Sequence, residues 1–319
     1  MAKFTVIIPY YQKQAGILQR ALMSVFAQTC QDFDILIIDD QSPFPVETDL
    51  EGLTEQQRAR IRVIKQSNAG PGGARNTGLD HLDAQTDFVA FLDSDDLWTP
   101  DHLRNAQEAM SRFGADCYWA SITGGDAFYY HFDMAELEKT ETVTRLSESP
   151  LLLEVAEFPR AMLRNWSFLH LSCMVIGRPL FKAIRFEAEL RLAAEDVLFF
   201  CDCALSAERI ILCNAPGAVR GEGVNIFHSI DGDSPQFLSQ QFNTWVALDT
   251  LEGRFSRKPA EISSIRSYKH TARRQALWSQ ARRIRRRKMP QFGLLARWAW
   301  RDPKLLRSAL QLAAGKLSR

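Results

Sequence analysis

The sequence predicts an α/β fold in which a mostly parallel sheet is flanked by helices and followed by a basic helical C-terminal extension. Three observations carry this expectation. Short apolar runs alternate with helix-like stretches over the first hundred residues, the polar residues there gather where the apolar runs end, and the charge changes sign near residue 254. Strands covered on both faces read as near-continuous apolar runs, and strand–helix alternation implies parallel pairing with right-handed crossovers.

Taken in order, 4–9 (FTVIIP), 33–39 (FDILIID), 62–65 (RVIK) and 88–93 (FVAFLD) read as four strands, rich in β-branched and aromatic residues. Between the first two, Leu18, Ala21, Leu22, Val25 and Phe26 share one helical face. A second helix is expected from near Gly73 through Leu82, and a third over 100–110. The pattern from about Asp101 to Gly253 is less regular. Within it 117–122, 173–177 and 209–213 read as strands, and 196–206 (DVLFFCDCALS) reads as an amphipathic helix entered through Glu195. The tail holds helical stretches over 260–288 and 303–317, separated by Pro290 and Gly293. The expected organisation is one large domain over 1–253, in a regular half (1–100) and a less regular half (101–253), then a basic amphipathic extension over 254–319.

A chain of 319 residues with 46% hydrophobic and 24% charged residues holds enough apolar material for one large or two small cored domains, which excludes disorder and fibrous classes. Six cysteines form no CxxC pair, and MAKFTVIIPYY runs into a strand pattern rather than a cleavable signal, so free thiols in a reducing cytosol are expected. No stretch approaches the roughly 20 apolar residues of a membrane-spanning helix, which points to a soluble or membrane-surface protein. The net charge of +1 conceals a split: residues 254–319 carry 19 Lys/Arg against Glu261 and Asp302, or +17, and the remainder carries −16. Such a tail is expected to meet something anionic.

Ligands of open parallel sheets bind beyond the carboxyl ends of the strands. Here those ends read Pro9-Tyr10-Tyr11, Asp39-Asp40-Gln41-Ser42, Ser67-Asn68-Ala69-Gly70 and Asp93-Ser94-Asp95-Asp96. Any one of them alone is an ordinary polar turn, but four converge on one edge. Asp93, Asp95 and Asp96 form an oxygen-rich cluster suited to Mg²⁺ or Mn²⁺ with a diphosphate as co-ligand. An acidic helix cap is the competing explanation for Asp96 or Asp101, and it leaves three aspartates unexplained. The segment 68–78 (NAGPGGARNTG) places glycines and Arg75 at a helix start, where backbone amides and a guanidinium can hold phosphate or ribose oxygens. It lacks the P-loop ending and the GxGxxG spacing, and glycine-rich turns without ligands are common.

The series VIIPYY (6–11), SVFAQT (24–29), IDDQS (38–42), 68–78 and FLDSDDLW (91–98) resembles the nucleotide-binding half of family 2 glycosyltransferases with the Rossmann-like GT-A fold. Ala194-Glu195-Asp196 resembles the family's Glu-Asp motif. Length and tail are most similar to bacterial glucosyltransferases that extend succinoglycan-type exopolysaccharide on a lipid carrier. The resemblance implies that Pro9 and Tyr11 line the base pocket and that Asp40, supported by Asp39, accepts a hydrogen bond from uracil. It implies that Asn68, Arg75 and Ser94 contact the nucleotide, that Asp93 holds ribose or a metal water, that Asp95 and Asp93 serve the metal, and that Asp196 is the catalytic base. Arg220 and His228-Ser229 stand where the family often has a polar pair near the diphosphate, with His228 as a third metal ligand.

Inverting transfer from a UDP-sugar needs one base and one electrophile, so a single carboxylate and a Mn²⁺ or Mg²⁺ ion suffice. A retaining hydrolase would require a second opposed carboxylate about 5 Å away, which Asp196 lacks in the sequence. The competing reading of Glu195-Asp196 is a helix cap. The resemblance implies an enzyme that moves a hexose, glucose first, from a UDP-sugar to a lipid-linked oligosaccharide. The alternatives are a nucleotidyltransferase, which would need a glycine-rich loop after the first strand, and a non-catalytic lipid- or polysaccharide-binding scaffold. In the tail, RRIRRRK (282–288) precedes Phe292, Leu294, Leu295, Trp298 and Trp300, and Leu306, Leu310, Ala313 and Leu317 form an apolar stripe. That interleaving predicts docking on an anionic membrane at the cytoplasmic face, against a helix pair packed on the body; nucleic acid lacks a supporting signature.

Overall fold

The computed structural model describes residues 3–124, 133–164, 169–190, 194–221 and 230–317. The chain divides into two compact units, Met1–Arg191 with Asp196–Asn225, and Leu192–Glu195 with Ile226–Arg319. Each is taken by itself.

The first unit begins with β1 (Phe4–Tyr10), α1 (Ile17–Phe26), β2 (Phe33–Asp39), the single turns α2 (Val46–Asp49) and α3 (Glu55–Arg58), β3 (Ile61–Lys65), α4 (Gly70–Asp80) and β4 (Phe88–Phe91). It continues through β5 (Leu97–Trp98), α5 (His102–Phe113), β6 (Cys117–Thr123), α6 (Met134–Thr140), β7 (Val143–Glu148), β8 (Leu151–Val155) and α7 (Phe158–Arg164). Next come β9 (Met174–Gly177), α8 (Arg178–Ala183), α9 (Glu195–Ser206) and β10 (Ile210–Val219). The strands form one sheet in the order β3-β2-β1-β4-β9-β6-β10-β8-β7, with β5 on β10.

Period-two alternation sends β1 and β2 side chains to two covered faces. Phe4, Val6, Ile8 and Tyr10 join Leu18, Leu22 and Val25 of α1 and Leu103 and Ala106 of α5 in the main core. Leu36 and Ile38 pack with Ala74 of α4 on the opposite face. α4 rests so close to β1 that a Cβ on Gly78 would lie 2.6 Å from Ile7 Cγ2, which accounts for a small residue there.

Parallel pairing holds over β3-β2-β1-β4 and for β6 with β10. The rest departs from the mostly parallel expectation: β9 is antiparallel to both β4 and β6, and β7 and β8 form a hairpin beside β10. The sheet is therefore mixed. Composition leaves strand direction open, since an apolar strand buried on both faces satisfies either ladder. All six cysteines are buried and carry free thiols.

The second unit contains α10 (Pro235–Arg254), α11 (Pro259–Arg285), α12 (Phe292–Arg301) and α13 (Lys304–Leu317). Its core gathers Leu238, Phe242, Trp245, Ala272, Ala276, Trp298 and Leu305. The Trp298 ring lies 5.4 Å from Phe242 and 6.0 Å from Trp245. The boundary expected at 253/254 thus falls inside this unit, because the apolar face of α10 is covered by α11 and α12. The tail has three helices rather than two, with the second break at Asp302-Pro303. Several tail bases are neutralised locally: Lys269 by Asp249 and Glu252, Arg273 by Asp302, and Arg286 and Lys288 by Asp233. No helix among the described residues is long and apolar enough to cross a membrane.

Candidate active site

The turn after β4 carries the acids. Asp96 N–H donates to the Asp93 carbonyl (3.0 Å), folding Asp93-Ser94-Asp95-Asp96 back on itself. Because β9 runs antiparallel beside β4, its leading edge arrives at this turn. Ser172, in the 3-10 turn Leu171–Cys173, accepts from Asp93 N–H through its hydroxyl (3.1 Å) and donates that hydroxyl to Asp96 (2.6 Å). Trp98 Nε1 donates to the Ser172 carbonyl (2.7 Å). From the end of β10, Gly221 N–H donates to the other Asp96 oxygen (3.0 Å). Gly221 passes so near that a Cβ there would lie 1.4 Å from the Asp95 carbonyl oxygen.

The electrostatics are those of crowded acids beside a few bases. Arg75, buried on α4, donates to Asp93 at 2.6 Å and stacks over Phe186 at 5.4 Å. Burial alone would raise the Asp93 carboxyl, but the Arg75 charge, with His170, holds it below the usual range. Asp95 is pushed up to about 7 by burial and by the charges of Asp93 and Asp96. Burial also raises Asp96, against the opposing pull of His170. Asp196, the second residue of α9, is raised by burial. The Val197 amide (2.8 Å), Arg75 and His170 work against that rise while Asp93 adds to it, so Asp196 stands within electrostatic reach of the acidic turn.

Asp93, Asp96 and His170 each offer a ligand atom, all within 4.8 Å of one another, and His170 Nδ1 lies 3.6 Å from Asp96. A divalent cation fits this donor set: carboxylate oxygens and one imidazole suit Mn²⁺ or Mg²⁺, and a cation relieves the mutual repulsion that lifts Asp95. The grouping differs from the expected Asp93, Asp95 and His228. Asp95 belongs to the same turn, whereas His228 and Ser229 lie outside the described residues. Arg220 lies near enough to Asp95 to lower its pKa.

The strand ends of the other half are tied to the same turn. Gln12 Nε2 donates to Ser94 Oγ (2.9 Å), Gln12 N–H donates to Ser42 Oγ (2.9 Å), and Ser42 N–H donates to Asp39 (2.8 Å). Asp40 is buried and accepts from Ala69 N–H (2.7 Å), Gly70 N–H (2.9 Å) and Gln66 Nε2 (2.7 Å). Asp40 therefore caps the start of α4, and any base ring must share an oxygen already in use. Asn68 donates to the Asp40 carbonyl (3.0 Å), Pro9 is half-buried, and Tyr11 is 43% exposed. His170, Ser172, Gly221 and Gln12 were not singled out by the sequence. The first two reach the acidic turn through the direction of β9, which composition leaves open, so no sequence signal marked them.

Residues 5–184 match the profile described as Glycosyl transferase family 2. The whole chain is 72% identical over 319 residues, covering all of both sequences, to the succinoglycan biosynthesis protein ExoW of Rhizobium meliloti. In structure it is similar to S. aureus TarS 1-349 in complex with UDP-GlcNAc, at TM-score 0.56 and 19% identity over 87% of this chain and 81% of that one. It is also similar to GalNAc-T7 with UDP, GalNAc and Mn²⁺, at TM-score 0.53 and 12% identity over 85% and 55% of the two chains.

Proposed function

Because this chain belongs to glycosyl transferase family 2, we propose that it transfers a hexose, glucose first among candidates, from a UDP-sugar to a growing lipid-linked oligosaccharide of succinoglycan type. The relative of 72% identity, named for succinoglycan biosynthesis, supports the pathway assignment. The observation that carries the chemistry is the placement of Asp196 within electrostatic reach of Arg75, Asp93 and His170. Asp196 takes the proton of the acceptor hydroxyl as that oxygen attacks the anomeric carbon. The bond from that carbon to the diphosphate oxygen breaks, UDP leaves with the electron pair, and configuration inverts. One carboxylate is sufficient for this step.

Asp93, Asp95 and Asp96, with His170, would hold Mn²⁺ or Mg²⁺, and a bound divalent ion supplies charge neutralisation for the departing diphosphate. Arg75 fixes the Asp93 carboxylate, and Ser172 and Gly221 fix Asp96, so the turn is set before substrate arrives. Pro9, Tyr11, Asp39, Asp40, Asn68 and Ser94 are assigned to the nucleotide. The enzyme is placed peripherally on the cytoplasmic membrane face, which a lipid-linked acceptor requires, with the basic second unit toward anionic lipid.

The test is UDP release from a panel of UDP-sugars with Mn²⁺, Mg²⁺ or chelator. Release from one sugar, abolished by chelator, is the expected result. No release, together with no metal-dependent UDP binding, would overturn the reading.

A further inference from the structure

The structure sorts the apolar side chains of α12 and α13 into two sets. Trp298 and Leu305 are buried in the core of the second unit. Phe292 and Trp300 on α12, and Leu306 and Leu310 on α13, are 63%, 89%, 59% and 72% exposed. Phe292, Ala296 and Trp300 recur every four residues, as do Leu306 and Leu310, so each helix carries a narrow outward apolar stripe. Arg297, Arg301, Lys304 and Arg307 are exposed on the same two helices. The single acid between 292 and 317, Asp302, is buried against Arg273.

Resting on the membrane placement above, we propose that the outward stripes of α12 and α13 together form an interfacial docking surface for anionic phospholipid. Phe292, Trp300, Leu306 and Leu310 enter the acyl boundary while the four flanking bases meet headgroup phosphates. This is the division of labour that stabilises helices lying in a membrane surface. Charge decides between occupants. A second copy of this face would set cation against cation, with no exposed acid on either helix to compensate. A nucleic acid would answer the arginines and leave Leu306 and Leu310 in water. Each base near an anionic surface is worth about fivefold in affinity.

The experiment uses the full chain and sedimentation with large vesicles of 1:1 phosphatidylglycerol and phosphatidylcholine, or of phosphatidylcholine alone. Binding to the anionic vesicles is expected, weaker by at least about tenfold on the neutral ones and weakened by salt. The double variant Trp300→Glu/Leu306→Glu should lose at least about tenfold in vesicle affinity with UDP affinity and melting midpoint unchanged. Should that variant melt early, Arg301→Gln/Arg307→Gln, which leaves the stripes intact, is expected to cost about tenfold or more. Undiminished vesicle binding in the folded variants would overturn the proposal. So would a dimer that dissociates in the variants without a change in vesicle binding, or displacement from vesicles by RNA at equal charge concentration. Wild-type vesicle binding without UDP binding would overturn the donor assignment alone; the converse would overturn the docking surface alone.

Discussion

Asp196 and Gly221 show how single residues here answer to two demands. Burial raises Asp196 above the ordinary carboxylate range, and a general base must be ionised to act. Lowering the pH protonates it, so kcat is expected to fall with decreasing pH through that raised value and to stay flat above it until another group titrates. Asp196→Asn should remove that limb and cut turnover by about 10² to 10⁴ while leaving UDP affinity within about twofold, as calorimetry would read. At Gly221 the constraint is space. A methyl group would meet the Asp95 carbonyl oxygen at 1.4 Å, and no side-chain rotation relieves a clash with backbone. Gly221→Ala should therefore displace the acidic turn, weakening UDP-metal binding by about tenfold or more at a stability cost of about 1–3 kcal/mol.

The acidic turn after β4 is the element on which a divalent ion would compete with a proton. Asp95 titrates near 7 in the fold against an ordinary 3.8, so the native state holds a proton that the unfolded chain releases earlier. Its contribution to stability is full below 3.8 and is lost as pH rises toward 7. A bound divalent ion would replace that proton, so Mn²⁺ should raise the melting midpoint more at pH 8 than at pH 5.5. Equal increments at the two values would contradict the assignment. The turn itself was legible in the sequence, since four strand ends, three of them bearing aspartate or glycine, fell where a parallel sheet puts its ligands. The partners that hold it were not. Ser172 and His170 reach it only because β9 runs antiparallel beside β4, and a strand apolar on both faces carries no mark of its direction. In the tail, spacing found α11 and α13 but not α12, and it placed Trp298 and Trp300 in one group. Packing against Phe242 and Trp245 separates them.

At the scale of the molecule, the division at 225/226 groups α10 with the C-terminal helices rather than with the sheet-bearing unit. Sequence missed this helix, because its apolar positions are diluted by Gln, Ser, Asn and Thr and gain meaning only beside α11. Cutting the chain after Gly253 should strip Leu238, Phe242 and Trp245 of their cover, and light scattering should then report aggregation. The two-unit charge split read from composition survives, though with less free charge than a count suggests, since Asp233, Asp249, Glu252 and Asp302 each hold a base.

The sheet order β4-β9-β6-β10 also sets a schedule for biosynthesis. The groups that complete the acidic turn come from residues 172, 196 and 221, more than a hundred positions apart from the first carboxylate to the last amide. A nascent chain that has emerged only as far as β5 holds the aspartates of the turn without Ser172, Asp196 or Gly221. During translation the nucleotide site therefore matures after β10 has left the ribosome. Ribosome-stalled fragments ending before that strand are expected to show sheet protection without nucleotide affinity.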